Sequence, residues 1–163
     1  MLLHKVIASP VGLLKLVASE RGLRAILWEN DDPRRVPLDP SRESVSHPLL
    51  AQAEIQLGQY FAGERRSFQL PLDAVGTVFQ QTVWQALGDI RYGATCSYDD
   101  LARGIGKPKA YRAVGAANGR NPLSIIVPCH RVLGKNGALT GFAGGLAAKS
   151  CLLELERRYA GPA

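Results

Sequence analysis

The sequence predicts a mixed α/β fold of the α+β type, in which a small antiparallel sheet with one helix precedes a mainly helical region. Short β-rich runs dominate the N-terminal part, whereas apolar residues after position 76 recur at helical spacing. The charge divides at the same place. Residues 1–75 contain nine Lys or Arg and nine Asp or Glu, and residues 76–163 contain eleven and five. We therefore predict two domains, 1–75 and 76–163.

The composition is that of a water-soluble globular protein. The chain has 163 residues, of which 46% are hydrophobic and 21% charged, and no apolar run approaches the roughly 18 residues that a membrane span needs. The N-terminal segment has no signal-like cleavage site. We expect a cytoplasmic protein without membrane association, whose Cys96, Cys129 and Cys151 are reduced thiols.

The N-terminal part predicts a three-stranded meander followed by a helix. The runs HKVIAS, LLKLVAS and LRAILWE are separated by the turn signals SPVG and ERG. A proline-rich connection, DDPRRVPLDPSRESVSHP, is expected to be a mobile loop. In the following helix one face is apolar and comprises Leu50, Ala53, Leu57, Tyr60 and Phe61. Because no catalytic side chains group in this part, we expect it to be a scaffold.

Two short helices around a tight break predict a helix-turn-helix in the C-terminal part. Thr77 can cap the helix that precedes them, and Ser97 with Asp100 forms a capping-box-like start for the first of the pair. Gly106 should end that helix and Pro108 should open the next. The second helix carries basic side chains with small residues between them, namely Lys109, Arg112, Ala113, Gly115, Ala117 and Arg120.

The excess positive charge of this part has two interpretations, solubility or contact with a polyanion. Small residues let a helix approach a nucleic-acid backbone or groove, which favours DNA as the partner. A helix-turn-helix pattern in a single sequence is a weak signal by itself, so the chemistry of the neighbouring residues has to support it.

The segment SIIVPCHRV places a thiol, an imidazole and a guanidinium in consecutive positions. SIIV predicts a strand that ends at Pro128, so Cys129 should project from the end of a rigid element. Adjacent imidazole and cationic groups are expected to lower the pKa of the Cys129 thiol and make it nucleophilic. His130 then needs an acid to fix its tautomer, and the last helix offers Glu154 and Glu156. The predicted apolar face of that helix comprises Ala148, Cys151, Leu152, Leu155 and Tyr159.

Cys129 and His130 have three other interpretations: an inert buried thiol, a metal site or the catalytic pair of a Cys-His hydrolase. Metal binding does not fit the spacing, since no C-x-x-C or H-x-x-x-H pattern exists. A hydrolase is not excluded by the local sequence, although a basic helix-turn-helix is an unusual companion for one.

Several motifs in order identify a resemblance. SYDDLA, YRAVGAANG, NPLSIIVPCHRV and TGFAGGLAAK with LLELE, spanning about Gly76 to Glu156, resemble the O6-alkylguanine-DNA alkyltransferases, or methylated-DNA–protein-cysteine methyltransferases. Residues 1–75 match this family only in pattern. The resemblance implies a ribonuclease H-like N-terminal domain and a winged-helix-like catalytic domain with a helix-turn-helix.

The resemblance also implies a function and its residues. The family flips an alkylated guanine out of double-stranded DNA and moves the alkyl group from O6 to a cysteine, here Cys129, once per molecule. O4-alkylthymine is an expected second substrate. The implied catalytic residues are Cys129, His130, Glu156, Asn121 and Tyr98; the implied DNA-binding residues are Arg112, Tyr98, Ala113, Gly115, Ala117 and Arg120; the implied pocket residues are Val132, Phe142, Ala143, Gly144 and Lys149.

Within these sets the resemblance gives each group a task. His130 would take the thiol proton through a water, and Glu156 would orient His130. Asn121 would hold the turn beside the active-site segment, and Tyr98 would help to protonate the leaving guanine. Arg112 would fill the gap left in the base stack. The carbonyl of Val132 would accept from the base, and the loop TGFAGG would wall the pocket.

Two departures from the family pattern stand out. Phe142 replaces a common tyrosine, so stacking on guanine is kept and a hydroxyl hydrogen bond is lost; Arg91 replaces a frequent proline. Some relatives bind zinc in the N-terminal domain, but residues 1–75 contain no cysteine, and we expect neither metal nor cofactor. We expect a monomer whose copies could bind cooperatively along DNA. The alternative function is a non-catalytic protein of the same fold that binds alkylated bases.

Overall fold

The mixed α/β fold predicted from the sequence is confirmed by a computed structural model, which describes residues 1–161. Residues 162–163, the end of the second predicted domain, lie outside the described residues. The strands of the first sheet are β1 (Leu2–Ile7), β2 (Leu14–Ala18), β3 (Leu23–Trp28) and β4 (Ser41–Glu43), in the order β3-β2-β1-β4. The first three form the predicted antiparallel meander.

The fourth strand corrects the prediction of a mobile loop between residues 31 and 48. β4 pairs in parallel with β1, with Ser41 opposite Leu2, and the His4 ring and the Ser41 hydroxyl lie 2.6 Å apart. Strands of three polar residues at a sheet edge carry no alternating apolar pattern, so the sequence gives little signal for them.

Helix α1 (Pro48–Phe61) covers one face of this sheet, as its apolar periodicity predicts. The His47 ring accepts a hydrogen bond from the backbone N–H of Leu49, and Pro48 occupies the first helical position, where a missing N–H costs nothing. Tyr60, on the inner face of α1, is fully buried.

The C-terminal elements are α2 (Val78–Leu87), β5 (Cys96–Ser97), α3 (Tyr98–Gly104), α4 (Tyr111–Gly119), β6 (Val132–Leu133) and α5 (Leu146–Ala160). The predicted caps are present, with Thr77 accepting from the N–H of Gln80 and Ser97 from that of Asp100. Pro108 does not open the second helix of the pair. A turn closed by the Ala110 N–H on the Lys107 carbonyl precedes it, and the helix begins at Tyr111.

Two large hydrophobic cores hold these elements together, and a third, smaller cluster contains Leu2, Val17 and Ala25. The first combines the inner faces of the sheet and α1 with residues from beyond position 76, namely Leu123, Ile125, Ala148 and Leu152. The second lies under α2, α3 and α4 and includes Cys129 and Val132. Within residues 1–161 no helix is both long and apolar enough to cross a membrane. The shared first core brings the N-terminal sheet against the segment that leads to Cys129.

Candidate active site

A tight turn, rather than the predicted strand SIIV, leads into the cysteine. The Asn121 side chain accepts from the Leu123 N–H at 3.0 Å and donates to the Val127 carbonyl at 2.8 Å, which folds residues 123–127 back on themselves. Ile125 has a φ of 76°, a conformation that costs a β-branched residue free energy and that the buried surroundings must enforce. The strand prediction was wrong because these side-chain hydrogen bonds override β propensity.

Cys129 begins a single 3₁₀ turn, Cys129–Arg131, and is only 4% exposed. Burial raises the pKa of its thiol, although Asn121, Ser124 and the positive charges of Arg35 and Lys149 act in the opposite direction. The expectation of a lowered pKa was therefore wrong for the unliganded protein. The thiol is neutral at rest and needs a base to ionise it.

His130 and Glu156, far apart in sequence, meet in the interior. His130 Nε2 lies 2.6 Å from Glu156 Oε2, and both side chains are almost completely buried. The carboxylate is an acceptor, so Nε2 carries the proton and Nδ1 has the free lone pair. Among residues 1–161, Nδ1 has no hydrogen-bond partner. Burial lowers the pKa of His130, which keeps the ring neutral and able to accept a proton.

Arg131 and a backbone N–H also donate to the carboxylate. Arg131 Nε donates to Oε1 at 2.7 Å and Nη2 to Oε2 at 3.1 Å, and the Gly93 N–H lies 3.3 Å from Oε1. Burial opposes ionisation of Glu156, but the bonds from His130 and Arg131 outweigh it and lower its pKa to about 2. Glu156 is therefore a permanent anion that can stabilise a protonated His130.

The buried face of α5 differs from the predicted apolar stripe. It consists of Ala148, Lys149, Leu152 and Glu156, whereas Cys151 is half-buried and Tyr159 exposed. Glu154, the other candidate acid, points to solvent and pairs with Arg157 at 2.9 Å. The face was misjudged because two charged residues are buried on it, and the partners of Glu156 come from distant segments.

Tyr98 and Lys149 meet at Thr140, in the loop before α5. The Tyr98 hydroxyl lies 3.0 Å from the Thr140 hydroxyl, and Lys149 Nζ lies 3.4 Å from the Thr140 carbonyl. Burial lowers the pKa of Lys149, and the nearby Cys129 acts in the opposite direction. The predicted proton donor and the buried lysine therefore both contact Thr140.

Two of the remaining predicted pocket residues, Phe142 and Gly144, lie against Trp28, which comes from β3. The Phe142 ring packs edge-on against Trp28, with ring centroids 5.3 Å apart, and Trp28 donates its indole N–H to Ser124. A methyl group added at Gly144 would approach the Trp28 ring to 2.6 Å, so only glycine fits there. Ala143 is half-buried beside it, and Val132 is fully buried in β6.

Helix α4 exposes two of the six predicted DNA-binding residues on its outer side. Arg112 and Ala113 are exposed, and no carboxylate within residues 1–161 pairs with Arg112. Gly115 is half-buried beside the Tyr98 ring, and Arg120 donates to the Arg34 carbonyl at 3.2 Å. Ala117 lies in the second core, where its carbonyl accepts from the Trp84 indole, so its side chain is not on the outer face.

Two protein-family models together match almost the whole chain. Residues 2–74 match the 6-O-methylguanine DNA methyltransferase ribonuclease-like domain, and residues 78–158 match the DNA binding domain of the same methyltransferase. The chain belongs to the 6-O-methylguanine DNA methyltransferase family.

Relatives and solved structures agree with this membership. A methylated-DNA–protein-cysteine methyltransferase of Bacillus subtilis, described as constitutive, is 48% identical over 91% of this chain and 92% of its own length. One of Methanosarcina acetivorans is 45% identical over 94% and 97%. The crystal structure of Mycobacterium tuberculosis OGT in complex with DNA superposes with a TM-score of 0.87 at 44% identity, covering 96% of this chain and 94% of that one.

The sequence analysis of this methyltransferase family member did not predict that residues of the ribonuclease-like part contribute to the site. Tyr60 donates its hydroxyl to Glu156 at 2.6 Å, and Arg35 donates to the carbonyl oxygens of Asn121 at 2.8 Å and Gly119 at 3.1 Å. The expectation that this part only supports the fold was therefore too narrow. For Tyr60 a signal existed, because a buried tyrosine hydroxyl normally finds a partner.

Proposed function

We propose that this protein repairs DNA by moving an alkyl group from O6 of guanine in duplex DNA to Cys129, irreversibly and once per molecule. O4-alkylthymine, which presents the same kind of oxygen-bound alkyl group, is a second substrate. The observation that carries the proposal is a buried thiol in the same 3₁₀ turn as His130. His130 pairs with Glu156 through Nε2, and its Nδ1 has no hydrogen-bond partner within residues 1–161.

The acceptor reaction is a displacement at the alkyl carbon. His130 Nδ1 takes the thiol proton through a bridging water, as a buried acceptor without a protein partner normally binds water, and Glu156 stabilises the resulting imidazolium. The sulfur electron pair then forms a bond to the alkyl carbon as the bond from that carbon to O6 breaks, and those electrons leave with guanine. Tyr98 gives a proton to the leaving base. The thioether that forms has no route back.

The DNA-handling residues lie on and beside α4. The alkylated base must leave the stack to reach a cysteine that is 4% exposed. Arg112, exposed and free of a carboxylate partner within residues 1–161, fills the space that the base leaves. Ala113 and Gly115 let α4 approach the minor groove closely, and Arg120 contacts the backbone. Ala117 acts from the core by supporting this helix.

The flipped base lies between the Cys129 turn and the loop before α5. Phe142, supported by Trp28, stacks on guanine, and the Val132 carbonyl accepts from its edge. Ala143 and Gly144 form the wall of this pocket, and Lys149 lies behind it. Asn121 fixes the turn that places Cys129.

We further propose the division into domains 1–75 and 76–163, a monomeric active unit and a cytoplasmic location. A cytoplasmic protein meets chromosomal DNA in a reducing environment, which keeps Cys129 a free thiol.

Mass spectrometry tests this function directly. After incubation with a duplex oligonucleotide containing O6-methylguanine, the protein is expected to gain the mass of one methylene group, located on the peptide that contains Cys129, with one group per molecule. Binding of the oligonucleotide without any gain in mass would instead support a non-catalytic protein that recognises alkylated bases.

Glu156→Gln is expected to slow transfer far more than Glu154→Gln. A neutral amide no longer stabilises protonated His130, and losing a charge-assisted hydrogen bond of about 1.5–3 kcal/mol corresponds to about 10- to 100-fold in rate. Glu154 is exposed and pairs only with Arg157, so its variant is the matched control. Single-turnover rates with both proteins well below their melting temperatures give the comparison, and equal rates would contradict the role of Glu156.

A further inference from the structure

One oxygen of Glu156 is shared by three donors from different parts of the chain. Oε2 accepts from His130 Nε2 at 2.6 Å, from Arg131 Nη2 at 3.1 Å and from the Tyr60 hydroxyl at 2.6 Å. His130 and Arg131 belong to the 3₁₀ turn beside Cys129, whereas Tyr60 belongs to α1, 96 residues away from Glu156 in sequence. The same oxygen therefore connects the acceptor turn with the ribonuclease-like part.

Tyr60 is held firmly in this place. Its side chain is fully buried, and its ring packs against Phe61, Phe68 and Tyr92 with centroid distances of 5.3, 5.7 and 6.3 Å. A phenol that donates to a carboxylate in the interior forms a charge-assisted bond, which is shorter and stronger than one between neutral groups. Burial, and then the charge of Glu156, raises the pKa of Tyr60, so its hydroxyl keeps its proton and remains a donor.

We infer that Tyr60 is a positioning residue for alkyl transfer: its hydroxyl fixes the Glu156 oxygen that orients His130. The inference rests on the proposed function, in which His130 accepts the proton of Cys129. It gives the ribonuclease-like part a share in the acceptor chemistry, because α1 sets the orientation of the carboxylate on α5.

The bond also sets how strongly Glu156 acts on His130. The hydrogen-bond donors to the carboxylate are Tyr60 from α1, His130 and Arg131 from the 3₁₀ turn, and the backbone N–H of Gly93. The Tyr92 hydroxyl lies near the carboxylate without a hydrogen bond to it, and Lys149 from α5 adds a positive charge near His130. The Tyr60 donor takes up negative charge on Oε2 that would otherwise act on the imidazole. Without this donor, Glu156 stabilises protonated His130 more strongly and the pKa of His130 rises. His130 is then neutral over a narrower range of pH. The acid limb of the pH–rate profile, where the transfer rate falls as His130 becomes protonated, therefore moves to higher pH.

The test is the pH dependence of single-turnover transfer from free O6-benzylguanine to Cys129, which involves no DNA. Tyr60→Phe is expected to slow transfer about 3- to 10-fold at neutral pH, since a hydrogen bond contributes about 0.5–1.5 kcal/mol net, and to shift the acid limb upward. Tyr92→Phe is the matched control. Its ring neighbours that of Tyr60, but its buried hydroxyl has no hydrogen-bond partner within residues 1–161, so rate and profile should match those of the unaltered protein.

A second variant keeps the test independent of folding defects in Tyr60→Phe. Site-specific 3-fluorotyrosine at position 60 retains the hydroxyl, makes it a stronger donor and is expected to shift the acid limb downward, opposite to Tyr60→Phe. Profiles of both position-60 variants that coincide with that of Tyr92→Phe would overturn the inference while leaving the proposed function intact. Absence of benzyl transfer by the unaltered protein would overturn the proposed function and the inference together.

Discussion

Cys129→Ser is expected to abolish alkyl transfer completely while leaving binding to alkylated DNA close to that of the unaltered protein. A serine hydroxyl ionises far less readily than a thiol and is a much poorer nucleophile towards an alkyl carbon. The substitution keeps the size of a small buried side chain, so the second core and α4 should be undisturbed. Transfer is measured by mass spectrometry and binding by titration of a labelled duplex.

Cys96→Ser and Cys151→Ser are the controls, because both cysteines are half-buried and neither belongs to the 3₁₀ turn with His130. Burial also raises the pKa of Cys96, and Asp100 adds to that shift. Both variants should accept one alkyl group per molecule. Alkylation found mainly on Cys96 or Cys151 in the unaltered protein would show that Cys129 is not the acceptor.

Arg112→Ala is expected to slow repair of duplex DNA by as much as about 1000-fold while leaving transfer from free O6-benzylguanine nearly unchanged. Unstacking a base costs a few kcal/mol, and a side chain that occupies the gap offsets that cost only when a base must leave a duplex. Single-turnover rates at saturating protein concentration separate this effect from loss of affinity.

Lys109→Ala provides the comparison, since Lys109 is an exposed basic residue just before α4. A residue that only contacts phosphate should lower the affinity for all duplexes, and lower salt should largely restore it. If Arg112→Ala repairs duplex DNA at the normal rate once binding is saturated, Arg112 is a phosphate contact and does not enter the stack.

The sequence predicts elements well where local chemistry decides them. The N-cap at Thr77, the capping box at Ser97 and the apolar face of α1 are local patterns, and each appears where expected. The strand prediction for SIIV failed because the Asn121 side chain forms hydrogen bonds with backbone atoms two and six residues further along the chain. The spacing of apolar residues gives no sign of such bonds. The residues of the site were named mainly through the resemblance.

Contacts between distant segments explain most of what was missed. Lys149 and Glu156 interrupt the expected apolar stripe of α5. The burial of Glu156 is acceptable because Arg131, His130 and Tyr60 converge on its carboxylate. Such partners, 25 to 96 residues apart, are visible only in the folded chain.

The buried, neutral thiol has a consequence for the lifetime of the protein in the cell. A molecule that reacts only once can no longer repair DNA after an oxidant or another electrophile has modified its sulfur. Attack on such agents requires thiolate and access, and Cys129 offers little of either until a base enters the pocket. The arrangement that slows the resting thiol thus preserves a stock of unreacted molecules, so that the number of lesions the cell can repair stays close to the number of copies it has made.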